Sequence, residues 1–175
     1  RAFLAVSSAA LVMTAAPAFA QKQGGTLRIS HRDNPPSASI HEESTISVNQ
    51  PFMGVFNNLV FFDPKEKVNS PDHIVPDLAE SWSYNPDQTQ ITFKLRPTMK
   101  WDSRAPTSGR TLDAQDVVFS WNKFKTSALS AADVATDRAP DAPIQSLTAT
   151  DDSTIVVKLA FPYGGILDML AYNWY

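Results

Sequence analysis

The chain of 175 residues carries 15 basic against 18 acidic side chains, a formal net charge of −3, and no cysteine. That balance supplies no basic field to attract nucleic acid or anionic lipid, and the lack of Cys excludes both a disulfide framework and a lipid-anchored thiol. The length suits one ordinary domain, but the chain opens on Arg1 rather than Met and stops at Tyr175 inside an apolar, aromatic segment, so it reads as a piece of a longer protein.

Residues 2–20 are apolar and uncharged and end in Ala18-Phe19-Ala20, just after the helix breaker Pro17. A short buried helix is the bland alternative, yet a breaker before a small-x-small triplet favours an export signal cut before Gln21. No later apolar run reaches the ~20 residues that a membrane span requires, so the expected location is the periplasm. Residues 25–30 read as a short strand with Leu27 and Ile29 on one face. The run Asn34-Pro35-Pro36-Ser37 must turn or extend, because prolines deny helix to the residues before them.

From 47 to 60 the spacing predicts a helix: Phe52, Val55, Phe56 and Leu59 recur at i, i+3, i+4 and i+7, and Pro51 falls in the tolerant first turn. Its aromatic stripe reads as core rather than as a cofactor pocket. Phe61-Phe62-Asp63-Pro64 then gives a strand and a turn. Residues 75–82 lead into a strand, and Asn85-Pro86-Asp87-Gln88 reverses the chain. The return arm alternates apolar Ile91, Phe93 and Leu95 with polar Thr92, Lys94 and Arg96, so one face is buried and the other wet, and Pro97 ends it. After a loop over 101–110, Asp113 stands where an N-cap belongs, with Asp116 near the positive end of the helix dipole. The following helix carries Val117, Val118, Trp121 and Phe124 on one face. Residues 126–143 show no clear period and suggest a partly helical surface segment. A second hairpin spans 144–150 and 154–159 around Asp151-Asp152-Ser153, with Ile155, Val157 and Leu159 alternating against Thr154, Val156 and Lys158. Phe161-Pro162-Tyr163 leads into an apolar helix over 166–171.

Four pieces in this order resemble the family 5 extracellular solute-binding proteins of bacterial ABC importers, the oligopeptide, dipeptide and nickel binding proteins. They are Pro76-Asp77-Leu78-Ala79-Glu80-Ser81-Trp82, Thr92-Phe93-Lys94-Leu95-Arg96, Lys100-Trp101, and Asp113-Ala114-Gln115-Asp116-Val117-Val118-Phe119-Ser120. The chain departs from the family where Trp101-Asp102-Ser103-Arg104-Ala105-Pro106 and extra residues to Gly109-Arg110 replace a shorter aromatic-His-Asp-Gly-x-Pro turn. Asp113 also stands in place of the usual capping Thr. The resemblance implies an α/β fold of the type II periplasmic-binding-protein-like, two-lobe kind with an extra inserted α+β domain. Only the N-terminal portion would be present: residues 1–20 a signal peptide, 21–44 the start of the first lobe, 45–162 the inserted domain and 163–175 the return to the first lobe. It further implies that the loop after residue 30 lies at a ligand cleft, so Asp33, Asn34 and Pro36 become candidate ligand contacts, as does Tyr172. A solvated loop touching only water is the alternative for any one of them. The implied partners are a peptide or similar small polar solute and the permease subunits of an ABC transporter, with the protein a monomer and no nucleic acid bound.

Enzymatic chemistry has few candidates. Asp113 and Asp116 could pass for the acid and base of a secreted hydrolase, although helix capping explains both. His31, His41 and His73 lack H-x-x-x-H or H-E-x-x-H spacing, so no metal site is expected, with contact to a metal through His31 and His41 as the lesser alternative. No G-x-S-x-G elbow occurs, and Gly24-Gly25 precedes a predicted strand rather than a helix, which excludes a phosphate loop. No catalytic residue and no cofactor are expected, and a periplasmic peptide-binding chaperone is a further alternative to the importer component. The export reading predicts a mature chain beginning at Gln21, which intact-mass analysis of secreted protein checks; a product retaining Phe19-Ala20, or one held in the cytoplasm, contradicts it.

Overall fold

The computed structural model describes residues 24–172 with the exception of 27, 32, 44, 128 and 129, so the predicted export segment lies outside the described residues. These fall into two compact units, one ending at Ser30 and the other starting at His31. In the first, residues 25, 26 and 28–30 are exposed and form no strand, and Ile29 is 79% exposed. The strand expected over 25–30 is therefore corrected. Alternation makes a strand only where a neighbour completes the hydrogen-bond ladder, and residues 25, 26 and 28–30 have none among the described residues.

The second unit runs, in order, α1 (Ile46–Phe52), β1 (Val60–Phe62), a 3-10 turn (Pro71–His73), β2 (Ile74–Pro76), β3 (Ala79–Tyr84), β4 (Gln90–Leu95), α2 (Ala114–Ser127), α3 (Ala131–Val134), β5 (Ile144–Asp151), β6 (Thr154–Leu159) and α4 (Ile166–Ala171). Strands β1 and β2 pair antiparallel, and a four-stranded antiparallel sheet has the order β3-β4-β6-β5. Both expected hairpins are present. In the first turn the side-chain carbonyl of Asn85 accepts the N–H groups of Thr89 and Gln90, each at 2.9 Å, and Gln88 takes a φ of 55°. This Asx geometry closes the reversal without a glycine. In the second turn Asp151 accepts hydrogen bonds from Thr154 Oγ1, Ser153 N and Ser153 Oγ, which together hold its carboxyl down to about 2. Thr154, expected on the wet face, is buried, with Lys94 Nζ donating to its hydroxyl.

The alternation of β4 and β6 produces one dry face, on which Ile91, Phe93, Ile155 and Val157 are fully buried. Helix α2 lies against this core through Phe124, with Val117, Val118 and Trp121 partly buried beside it and the Trp121 ring stacked 5.8 Å from Phe124. Ile166 and Ala171 of α4 join the same cluster.

Two expectations fail in this unit for identifiable reasons. The helix predicted over 47–60 stops at Phe52, and Val55 and Phe56 are exposed rather than core. Pro51 sits one residue from the end of α1 and cannot donate to the Ser47 carbonyl, and Gly54 follows at once. Asp77 then holds the next residues in a different path: its carboxylate accepts Asn57 Nδ2 and Asn58 N, each at 2.9 Å. The backbone amides of Leu78 and Ala79 donate to the carbonyls of Asn58 and Leu59, so the chain runs into β1 instead of coiling. The segment 126–143, expected at the surface, contributes Ala131, Val134, Ala135 and Ala142 to the interior. Small side chains fill narrow gaps without the bulky repeat by which a buried helix is recognised.

Replacing Phe93 by Ala should cost about 3–5 kcal/mol through lost burial and a residual cavity, whereas Phe119→Ala, on the exposed side of α2, should stay within about 0.5 kcal/mol. Urea denaturation of both variants provides the measurement.

Candidate functional site

The loop of residues 33–36 is exposed and folds back on itself. One oxygen of Asp33 accepts the Asn34 N–H at 2.9 Å, and the other accepts Ser47 Oγ at 3.0 Å, which ties the loop to the first turn of α1. His31 Nδ1 lies 2.8 Å from the Asp33 carbonyl oxygen. Asn34 and Pro36 face solvent.

Tyr172 follows α4, and its ring meets Phe62 of β1 edge-on at 5.2 Å. Together with Tyr163, Gly165, Asp168 and Met169 it lines a cleft of about 230 Å³. A Cβ at Gly165 would stand 3.1 Å from the Tyr163 ring and hydroxyl. Asp168 lies in the first turn of α4, and its Oδ1 is buried with no hydrogen-bond partner. Burial, and then the negative charge of Asp168, push the Tyr84 hydroxyl above the usual phenol range. None of Asp33, Asn34 or Pro36 lines this cleft, so the four predicted contacts occupy two places. The sequence reading did not single out Asp168 and Tyr163, which line this cleft with Tyr172; the one signal was a lone acid within an otherwise apolar helix.

A larger hollow, about 320 Å³, opens where the second hairpin turn meets the start of α2 and is lined by Leu95, Arg96, Asp113, Asp152 and their neighbours. Here Asp113 and Asp116 form a reciprocal cap. Asp113 Oδ1 accepts the N–H groups of Gln115 and Asp116, and Asp116 Oδ2 accepts the Asp113 N–H at 3.1 Å. Arg110 grips both oxygens of Asp116, and the Trp101 indole donates to one of them at 2.9 Å. The guanidinium also lies 5.6 Å from the Trp101 ring centre. These contacts, led by Arg110, hold the Asp116 carboxyl at about 2, so it is ionised and occupied rather than poised to donate a proton.

Of the histidines, His41 places Nε2 3.1 Å from Ser120 Oγ and its ring edge-on to Phe124, and burial followed by the Lys123 charge lowers its pKa against a smaller opposing effect of Glu42. His73 bonds back to the Val68 carbonyl. Among the described residues no group of three or more His, Asp or Glu is placed to hold a metal ion, and no helix is long and apolar enough to cross a membrane.

The chain belongs to the bacterial extracellular solute-binding proteins, family 5, whose model for the middle region matches residues 73–174. An ABC transporter peptide-binding protein of Brucella ovis is 34% identical over 115 residues, or 66% of this chain and 19% of that protein. A di/tripeptide-binding protein of Pseudomonas aeruginosa is 31% identical over 128 residues, 69% of this chain and 23% of the relative. The chain thus spans about a fifth of the length of the curated relatives it matches. Among solved structures, the binding protein MoaA of A. tumefaciens R10 in complex with mannopinic acid shares 30% identity at a TM-score of 0.62, covering 78% of this chain and 26% of that one. The periplasmic binding protein DppA of Helicobacter pylori with the peptide STSA aligns at a TM-score of 0.66 over 81% of this chain and 28% of that one, with 22% identity that speaks to fold alone. The mixed helix-and-sheet architecture expected of a type II periplasmic binding protein is the one found.

Asp113→Ala should cost about 1 kcal/mol through the lost cap, and Asp113→Ser should recover most of it. Asp116 has a folded pKa below its unfolded value, so its contribution is present above pH 4 and is lost as pH falls toward 2. Melting curves over that window should therefore be steeper for the parent than for Asp116→Asn, and equal slopes would contradict the Arg110–Asp116 assignment.

Proposed function

We propose that the complete protein captures a peptide or a similar small polar solute in the periplasm and delivers it to the permease of an ABC importer, without turning it over. The observation that carries this reading is the family match over residues 73–174, together with relatives named for peptide binding. The carboxylates that could have suggested hydrolysis are engaged in capping α2, which supports binding over catalysis. Residues 45–162 are read as the extra domain and 163–175 as the return toward the first lobe. Asp33, Asn34 and Pro36 in their loop and Tyr172 beside α4 would contribute separate parts of the surface that faces the solute, and a monomer suffices for the task.

A cleft of about 230 Å³ is smaller than the pockets that enclose drug-sized ligands, so it needs a second wall. The complete protein should bind short peptides and leave them intact, and residues 21–175 alone should bind at least ~100-fold more weakly. Calorimetry on both chains with a peptide pool, followed by mass analysis of the pool, is the test. Equal affinity would place the whole site within residues 21–175, and cleaved peptides would overturn the carrier reading.

A further inference from the structure

We propose that His41 is the closing element of an acid-sensitive clamp, which holds residues 39–43 and the loop that precedes them against α2 and releases them when the imidazole takes up a proton. The clamp lies within the unit that starts at His31 and needs no solute, so it goes beyond the capture reading.

Two neighbouring side chains make the attachment. His41 Nε2 lies 3.1 Å from Ser120 Oγ, a contact between positions 79 residues apart. Beside it, Lys123 Nζ meets Glu42 Oε1 at 3.2 Å, so two successive residues of the segment engage one stretch of α2. The His41 ring also packs edge-on against Phe124, with 6.1 Å between ring centres, and Phe124 belongs to the core. Among the described residues the other hydrogen bonds of the segment are local, Ser39 N to Ser37 Oγ and Glu43 N to the Ser39 carbonyl. These do not hold it on α2. Ser47 Oγ in turn donates to Asp33, so the 33–36 loop is braced on the start of α1, just after the clamped residues.

An imidazole in this seat is better neutral than charged. The Ser120 hydroxyl both donates and accepts, so it serves either protonation state. The penalty for a proton lies in the partly buried ring, which forgoes hydration, and in Lys123, whose carboxylate partner Glu42 is already engaged. Glu42 draws the proton in and is the weakest of the three effects. The remaining charges of α2 are held elsewhere, Asp116 by Arg110 and Lys125 by Asp137, and α1 carries no charged side chain. Burial first and Lys123 second therefore lower the pKa of His41 from its ordinary 6.5. A base with a lowered folded pKa contributes stability that is present above its unfolded value and lost as pH falls through the folded one. Opening the segment returns the imidazolium to water and away from Lys123. Only two polar contacts and one ring edge are given up, so the segment yields while the sheet stays intact.

Hydrogen exchange on the complete protein between about pH 7.5 and about pH 5 provides the test, with proton magnetic resonance following the His41 ring. In the parent, protection factors over residues 39–43 should fall several-fold as His41 titrates, while those of β4 stay constant. His41→Gln, which reaches Ser120 without titrating, should keep the same protection at both ends of the range. Lys123→Gln removes the repelling charge and frees Glu42, so His41 should titrate at higher pH and the acid-induced loss should shrink. His31→Gln should respond to pH as the parent does. Protection that persists after His41 has titrated would mean that the charge is tolerated in place, and overturns the clamp. So does a His41→Gln chain that loosens in acid like the parent, or a His31→Gln chain that no longer responds. If His41→Gln is loose at every pH, Lys123→Gln decides: a smaller acid response supports the clamp, and an unchanged one contradicts it.

Discussion

Strand β4 meets strand β6 with Phe93 opposite Ile155 and Ile91 opposite Val157, all four side chains fully buried. Each strand belongs to its own hairpin, so this seam converts two locally encoded hairpins into one four-stranded sheet. A slip of one residue would turn both apolar rows to solvent, and the register is fixed for that reason. The seam also places the turn of the second hairpin beside the end of β4. Leu95 N donates to the Ser153 carbonyl and Ala114 N to the Asp152 carbonyl, each at 2.8 Å. The start of α2 is therefore anchored on a strand turn as well as by its own Asp113–Asp116 cap. Helix α4 follows β6 and returns Ile166 and Ala171 to the same core, while Asp168 and Tyr172 line the neighbouring cleft.

What was legible in the sequence follows from which forces are local. A period of two at Ile91, Phe93 and Leu95, or at Ile155, Val157 and Leu159, reflects burial of one sheet face, and the structure agrees. The cap at Asp113 was legible because its donors lie within three residues. The helix over 47–60 was misread because the side chain that diverts it, Asp77, lies some twenty residues further along. Residues 25–30 carry a strand pattern, but 25, 26 and 28–30 have no strand partner among the described residues.

The candidate site was less legible than the fold. Resemblance pointed to Asp33, Asn34, Pro36 and Tyr172, and the structure places the first three in a loop braced by Ser47 and the fourth in a separate cleft. Asp168 carried no such pointer, because what distinguishes it is burial without a donor, a property of tertiary packing. Tyr163 became visible only through its place in the lining of the cleft. Which polar atoms a fold leaves unpaired is decided by tertiary packing, and a one-dimensional pattern does not record that.

The proposed solute cleft has the surface at α4 as one wall, while the capped start of α2 and the 101–110 loop serve the fold. Hydrogen exchange on the complete protein, with and without saturating tri-alanine, separates these roles residue by residue. Amides of residues 163–172 should gain protection when the peptide binds, and those of residues 104–109 should not change. Peptide binding that leaves residues 163–172 unprotected and slows exchange in the 101–116 region would contradict the assignment.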